Sequence, residues 1–367
     1  MDLSLNALRA AYAAGTLDPH RLCALIDARA EACSDDNIWI HRLTAAERAP
    51  WLDALAQANP ADLPLYGVPF AIKDNIDLTG VPTTAACPEY AYVPTRSAFV
   101  VERLLALGAI PIGKTNLDQF ATGLVGSRSP FGATRNAFNP DYVSGGSSGG
   151  SAVACAKGLV SFALGTDTAG SGRVPAALNA LIGVKPTRGL LSLRGVLPAC
   201  QSLDCVSIFA SSAADAATLL ACAAAHDAED PWSRGGRPLR LAGASFRYGV
   251  PRQLEFFGDT EAPRLFAAAR ARLQALGGEE VTLDFSPFLE AARLLYEGPW
   301  VSERYTAIER FIENHPDALF PVTREIIGAG RDRRAVELFT AQHRLQTLKH
   351  QADQVFTQCD CVLTPTL

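Results

Sequence analysis

Lysine is scarce in this chain of 367 residues: only Lys73, Lys114, Lys157, Lys185 and Lys349 occur, against abundant arginine. Each retained lysine is therefore worth inspecting, although base composition and chance account for most such biases. No uninterrupted run of ~18 apolar residues is present, so no membrane-spanning helix is expected. The opening MDLSLNALRAAYAAGTLDPHRL lacks the basic start and apolar block of a secretion signal, which places the chain in the cytoplasm. A net charge of −5 without a basic stripe argues against nucleic acid as a partner. No histidine lies between His41 and His226, a gap that weakens any serine–histidine hydrolase reading of the middle of the chain.

The nine cysteines are odd in number, scattered and mostly set among Ala, Leu and Val, the pattern of reduced, buried thiols. Cys359 and Cys361 form the only close pair; without a second ligand pair, a strand start is the simpler reading than a metal or redox site.

With 48% hydrophobic and 19% charged residues the chain is long enough for one large core or two modest ones. Residues 1–60 read as helical, with Asp18–Pro19 and Thr44 as helix starts around a short strand, IWIHRL. From Leu65 short apolar runs are cut by Gly and Pro: YGVPFAIKDNIDL and AIPIGKTN as strands, AFVVERLLALGA as a helix between them. SAADAATLLACAAAH reads as a helix, WSRGGRPLR as a loop, and FRYGVPRQLEF, APRLFAAARARLQAL and EEVTLDF as a β, α, β unit. CDCVLTPTL reads as a final strand. The alternation argues for an α/β fold layered around a central sheet.

The stretch VSGGSSGGSAV (143–153) invites three readings: linker, phosphate loop or catalytic loop. Apolar segments beside it, SAVACAKGL and SFALGTD, do not suit a linker. No Gly-Lys pair follows closely and GxGxxG spacing fails, against nucleotide binding. GxSxG fits around Ser147 and Ser148, but an elbow needs a preceding buried strand and a histidine, for which only the distant His226 offers itself. A serine nucleophile without histidine can use neutral lysine, provided burial lowers its pKa. Lys73 ends the apolar run VPFAIK, with Asp74 directed to the opposite face; a snorkelling or ion-paired lysine is the plainer alternative. In ALGTDTAGSGRVPA (163–176) Ser171 lies in a turn whose N–H groups suit an oxyanion, or else forms a tight surface turn with Asp167 and Arg173 paired.

Three separated pieces, GVPFAIKDN (67–75), SGGSSGGS (144–151) and GTDTAGSGRVPA (165–176), together resemble the amidase signature family. The resemblance implies an amidase signature fold, a central mixed β-sheet covered by helices on both faces, with residues 1–60 packing on a catalytic domain of 61–367. It implies a Ser-cisSer-Lys triad: Ser171 as nucleophile, Ser147 as the bridging serine at a cis peptide, Lys73 as base. The backbone N–H groups of Thr168, Ala169, Gly170 and Ser171 would hold the oxyanion, with no metal or organic cofactor, in a homodimer.

Within the family, GKTNLDQFATGLVGSRSPFG (113–132), SGRVPAALNALIGVKPTRGL (171–190) and LLYEGPWVSERY (294–305) look like the allophanate hydrolases, which release ammonia in urea degradation. That likeness maps substrate contacts onto Tyr296 and Arg304, a hydroxyl and a planar fork for a small anion, and onto Gly123. Tyr296 and Arg304, eight positions apart, lie about 80° apart on a helix and face one pocket if Pro299 does not break it. Biuret-type amidases and the amidotransferase component that frees ammonia from glutamine for charged transfer RNA are the rival activities, and a non-catalytic homologue the rival class. Allophanate hydrolases have a longer amidase domain, so the TPT end is expected to leave the sheet incomplete.

Overall fold

The computed structural model describes residues 1–236 and 245–366. The second half of the expected loop 232–240 and the last residue of the expected final strand lie outside them. The chain divides into two compact units: Met1–Gly236 with Glu303–Gly328, and the described parts of Arg237–Ser302 with Ala329–Leu367.

The first unit opens with helices α1 (Leu5–Ala13) and α2 (Pro19–Glu31), strand β1 (Trp39–Arg42) and helix α3 (Ala45–Ala56). Their starts are capped as the sequence suggests. Asp18 accepts from the Arg21 N–H with Pro19 at the first helical position, and Thr44 and Glu47 form a reciprocal capping box. Then follow β2 (Pro69–Lys73), α4 (Phe99–Ala106), β3 (Ile110–Thr115), α5 (Gly149–Ala156), β4 (Phe162–Thr166), α6 (Arg173–Leu178), β5 (Ile182–Val184), β6 (Val206–Ala210) and α7 (Ala213–Ala223).

The six strands form one sheet in the order β1-β3-β2-β4-β6-β5. β2 is parallel to both its neighbours and the remaining pairs are antiparallel, giving the mixed central sheet that was expected. β2, β3, β4 and β6 are buried along their whole length, which is why they read as continuous apolar runs. Phe70 and Phe162 are register partners and stack at 5.2 Å. α5 packs across β2, β3 and β4, so the chain leaving the Gly-Ser stretch lies directly against the strand ending in Lys73.

The second unit begins with β7 (Phe246–Pro251), α8 (Glu261–Ala275), β8 (Gly278–Leu283) and α9 (Ser286–Glu297). α10 (Val301–Asn314) carries the chain into the first unit, where α11 (Pro321–Gly328) follows; α12 (Ala335–Val355) and β9 (Cys361–Val362) return to the second. β7 lies between β8 and β9 and is parallel to both, as the β, α, β reading requires. The CxC pair straddles the start of β9, a strand of only two residues. No helix among the described residues is long and apolar enough to cross a membrane.

Candidate active site

β2 delivers the Lys73 side chain, fully buried, to a point where Nζ lies 2.7 Å from Ser147 Oγ and 2.8 Å from Thr166 Oγ1. Both partners are hydroxyls. Burial brings the amine down to about 7, because desolvation penalises the ammonium more than the nearby Asp118, Asp204 and Asp167 support it. Asp74 takes the opposite direction: its carboxylate pairs with Lys114 at 2.9 Å, both side chains fully buried, and accepts from the Thr84 N–H and hydroxyl. The alternation of the strand separates the two charges.

The Gly-Ser stretch is a fixed part of this site. Residues 144–151 are buried throughout, and the Gly146–Ser147 peptide bond is cis. A Cβ on Gly146 would collide with Asp118 Oδ2 and come within 2.6 Å of the Gly126 nitrogen, so no other residue fits there. Asp118 in turn donates its N–H to the Ser147 carbonyl and accepts from the N–H groups of Val125, Gly126 and Arg128. One acid thereby shapes the loop that faces the serines.

Ser171 lies in the turn between β4 and α6. It is 5% exposed, and its hydroxyl has no hydrogen-bond partner among the described residues. The Ser148 N–H donates to the Ser171 carbonyl at 3.3 Å, which ties the two serine loops together. Ser148 donates its hydroxyl to the Thr166 carbonyl, and His226 is exposed with no bond to it, so the histidine-based arrangement is not assembled.

Asp167 organises the turn. Buried, it accepts from the Gly170, Gly172 and Arg173 N–H groups, from Nε and Nη2 of Arg173, and from Lys185 Nζ. Burial alone would raise its pKa, but the Arg173 hydrogen bonds and the Lys185 charge hold the carboxyl well below the usual range. This corrects the expected set of four oxyanion donors. The Gly170 N–H is committed to Asp167 Oδ1 at 2.7 Å, because the carboxylate folds back under the turn. Thr168 also gives its hydroxyl to Asp204 at 2.5 Å, a buried acid raised by desolvation that is held by the Ala199 and Cys200 N–H groups.

Arg304, half-buried on α10, points Nη1 at Thr122 Oγ1 (3.2 Å) and the Ala121 carbonyl (3.5 Å), next to Gly123, and makes no ion pair among the described residues. A Cβ on Gly123 would lie 2.6 Å from Asp118 Oδ2. Tyr296 is a different case: it ends α9 in the second unit and is 60% exposed, while Arg304 belongs to the first. The single helix expected to carry both is interrupted at Gly298–Pro299–Trp300, as proline demands when its N–H is missing.

Sequence reasoning missed Thr166, Asp118, Asp204 and the part played by Lys185, whose Nζ also donates to the Asp167 and Thr168 carbonyls. The scarcity of lysine was a usable signal: Lys73, Lys114 and Lys185 are all bound into this network, whereas Lys349 pairs with Asp353 on the surface. A 630 Å³ cavity lined by Leu5, Tyr12, Leu63 and Tyr66 contains none of the candidate residues.

The amidase family model matches residues 24–367. The urea amidolyase of Saccharomyces cerevisiae is 47% identical over 337 residues, covering 90% of this chain and 18% of that protein. The crystal structure of Kluyveromyces lactis allophanate hydrolase superposes with a TM-score of 0.93 at 43% identity, covering 99% of this chain and 61% of that one. A component of the Symbiobacterium thermophilum glutamyl-tRNA(Gln) amidotransferase is 42% identical over 276 residues, 72% of this chain and 56% of that protein. The chain thus spans about a fifth of the curated urea amidolyase. With the family match over most of the chain, and with the three motif segments meeting around Lys73, the chain belongs to the amidase family, in its amidase signature group.

Proposed function

We propose that this chain is a cytoplasmic amide hydrolase that releases ammonia from allophanate in the degradation of urea or s-triazine nitrogen. Ser171 acts as nucleophile, Ser147 as relay and Lys73 as base. The observation that carries the reaction is the buried Lys73 amine, brought to about 7 and hydrogen-bonded to Ser147 Oγ. As Ser171 attacks the amide carbon, its proton passes to Ser147 and the Ser147 proton passes to Lys73. The N–H groups of Thr168, Ala169 and Ser171 receive the developing oxyanion. The Lys73 ammonium returns its proton through Ser147 to the leaving nitrogen, ammonia departs, and water cleaves the acyl-enzyme by the same relay. No step calls for a metal or organic cofactor. The homodimer implied by the resemblance belongs to the same reading.

Arg304 supports a small anionic substrate. A half-buried guanidinium without a carboxylate partner among the described residues offers its fork to the substrate's own carboxylate. Tyr296 is assigned to the same substrate on the resemblance alone. Replacement of Arg304 by alanine should raise KM for allophanate ~10²-fold with kcat little changed, the size of a lost charge-assisted hydrogen bond. An unchanged KM would remove the role. Ammonia release from allophanate, biuret and glutamine, measured side by side, tests the substrate. Turnover of biuret or glutamine in preference to allophanate would move the chain to a rival activity.

A further inference from the structure

A neutral amine between two hydroxyls has one lone pair and two hydrogens, and nothing in the amine itself decides which hydroxyl receives the lone pair. Lys73 is so placed, with Ser147 Oγ at 2.7 Å and Thr166 Oγ1 at 2.8 Å. The relay works only if the lone pair faces Ser147, whose O–H must then donate to it.

The surroundings of Thr166 suit the accepting role. Its oxygen also lies 3.4 Å from Asn75 Nδ2, a group that can only donate and that is anchored by a 3.0 Å bond to the Leu197 carbonyl. With its oxygen facing an amide donor on one side and Nζ on the other, Thr166 has the two lone pairs needed to accept from both when Ser147 donates to the amine. The position is rigid. Thr166 ends β4, pairs with Val206 across β6, and its carbonyl accepts from Ser148; Lys73 ends the adjacent parallel strand, in which Ile72 pairs with Leu164.

We propose that Thr166 is the positioning residue for the Lys73 base: its hydroxyl oxygen accepts from Nζ and thereby turns the amine's lone pair toward Ser147. The inference rests on the relay proposed above. Thr166 plays toward the lysine the part that a carboxylate plays toward histidine in a serine–histidine triad.

The test reads activation of Ser171 without assuming a substrate, by following covalent labelling with an ethyl fluorophosphonate as a function of pH. The probe's phosphorus bonds to Ser171 Oγ, fluoride leaves, and the serine proton enters the relay. In Thr166→Val the labelling rate should fall ~10²-fold, the scale of one well-placed acid–base interaction. Its acid limb should move to lower pH, because an acceptor that favours the ammonium has been removed. Thr166→Ser should restore both rate and limb to within a few-fold of wild type, and Thr166→Ala, which cannot clash, should repeat the valine result if the valine protein folds poorly. Valine and alanine variants that label at the wild-type rate, with the wild-type pH profile and only a lower Tm, would reduce Thr166 to a structural acceptor and overturn the inference alone. Folded wild-type protein that fails to label at Ser171 would overturn the relay, and this inference with it. Labelling at Ser171 without allophanate turnover would leave Thr166 supported and the substrate wrong.

Discussion

Ser171→Ala should abolish ammonia release, with kcat falling ~10⁶-fold, and Lys73→Met should lower it ~10⁴-fold, while both proteins keep the wild-type circular dichroism. The serine hydroxyl has no partner to leave stranded among the described residues, so its loss costs little stability. The methionine follows the buried stem of the lysine and removes only the amine. Wild-type activity should rise as pH passes through about 7 and then level, since the relay requires the unprotonated amine. The same group affects stability. Its pKa is lowered on folding from an ordinary lysine value, so between about 7 and ~10 the unfolded chain binds more protons and stability increases with pH. Below about 7 the cost of burying the amine is fully present. The difference in Tm between wild type and Lys73→Met should therefore change across that window, in favour of wild type as pH rises. A difference independent of pH would mean that the amine is not desolvated as described, and retained turnover in Ser171→Ala would end the mechanism.

The second large effect is expected at Asp167. Its replacement by alanine removes the acceptor of three N–H groups and the carboxylate that the Arg173 and Lys185 cations share. Breaking a buried charge pair costs roughly 3–5 kcal/mol, and the lower end applies because the Arg173 side chain is 47% exposed. For a protein of this size that is a fall in Tm of about 4 °C, and activity should be lost even in the folded fraction because the turn holding Ser171 loses its support. The sign with pH is the opposite of the lysine's. Asp167 has a depressed pKa, so its contribution is complete above the unfolded aspartate value and is lost as pH falls through the folded one. The gap between wild type and Asp167→Asn should hold at neutral pH and narrow under strong acid. A neutral-pH Tm within about 1 °C of wild type, on the order of 1 kcal/mol or less, would sink the account.

Lys73 was legible because few lysines exist and this one ends an apolar run, so burial and a lowered pKa followed from the strand itself. Thr166 was not, because a threonine in a strand says which face it occupies and nothing about its neighbour. That neighbour is set by the pairing of β2 with β4, between segments 93 residues apart. Asp118 and Asp204 were hidden for the same reason: each acts on N–H groups of loops whose course only the folded chain defines. The Gly170 error came from reading the turn's amides without asking what the preceding carboxylate does with them. The shared helix of Tyr296 and Arg304 was conditional on Pro299, and it is there that the helix breaks.

The strand Pro69–Lys73 followed by Asp74 delivers an amine to one side of the sheet and a carboxylate to the other, in successive positions. Because a strand has a two-residue period, loss or gain of a single residue in it would exchange them, setting an acid against Ser147 and an amine against Lys114. The length of β2 is thus as binding a constraint as the side chains buried along it. The five-residue length of β2 therefore decides which group faces Ser147.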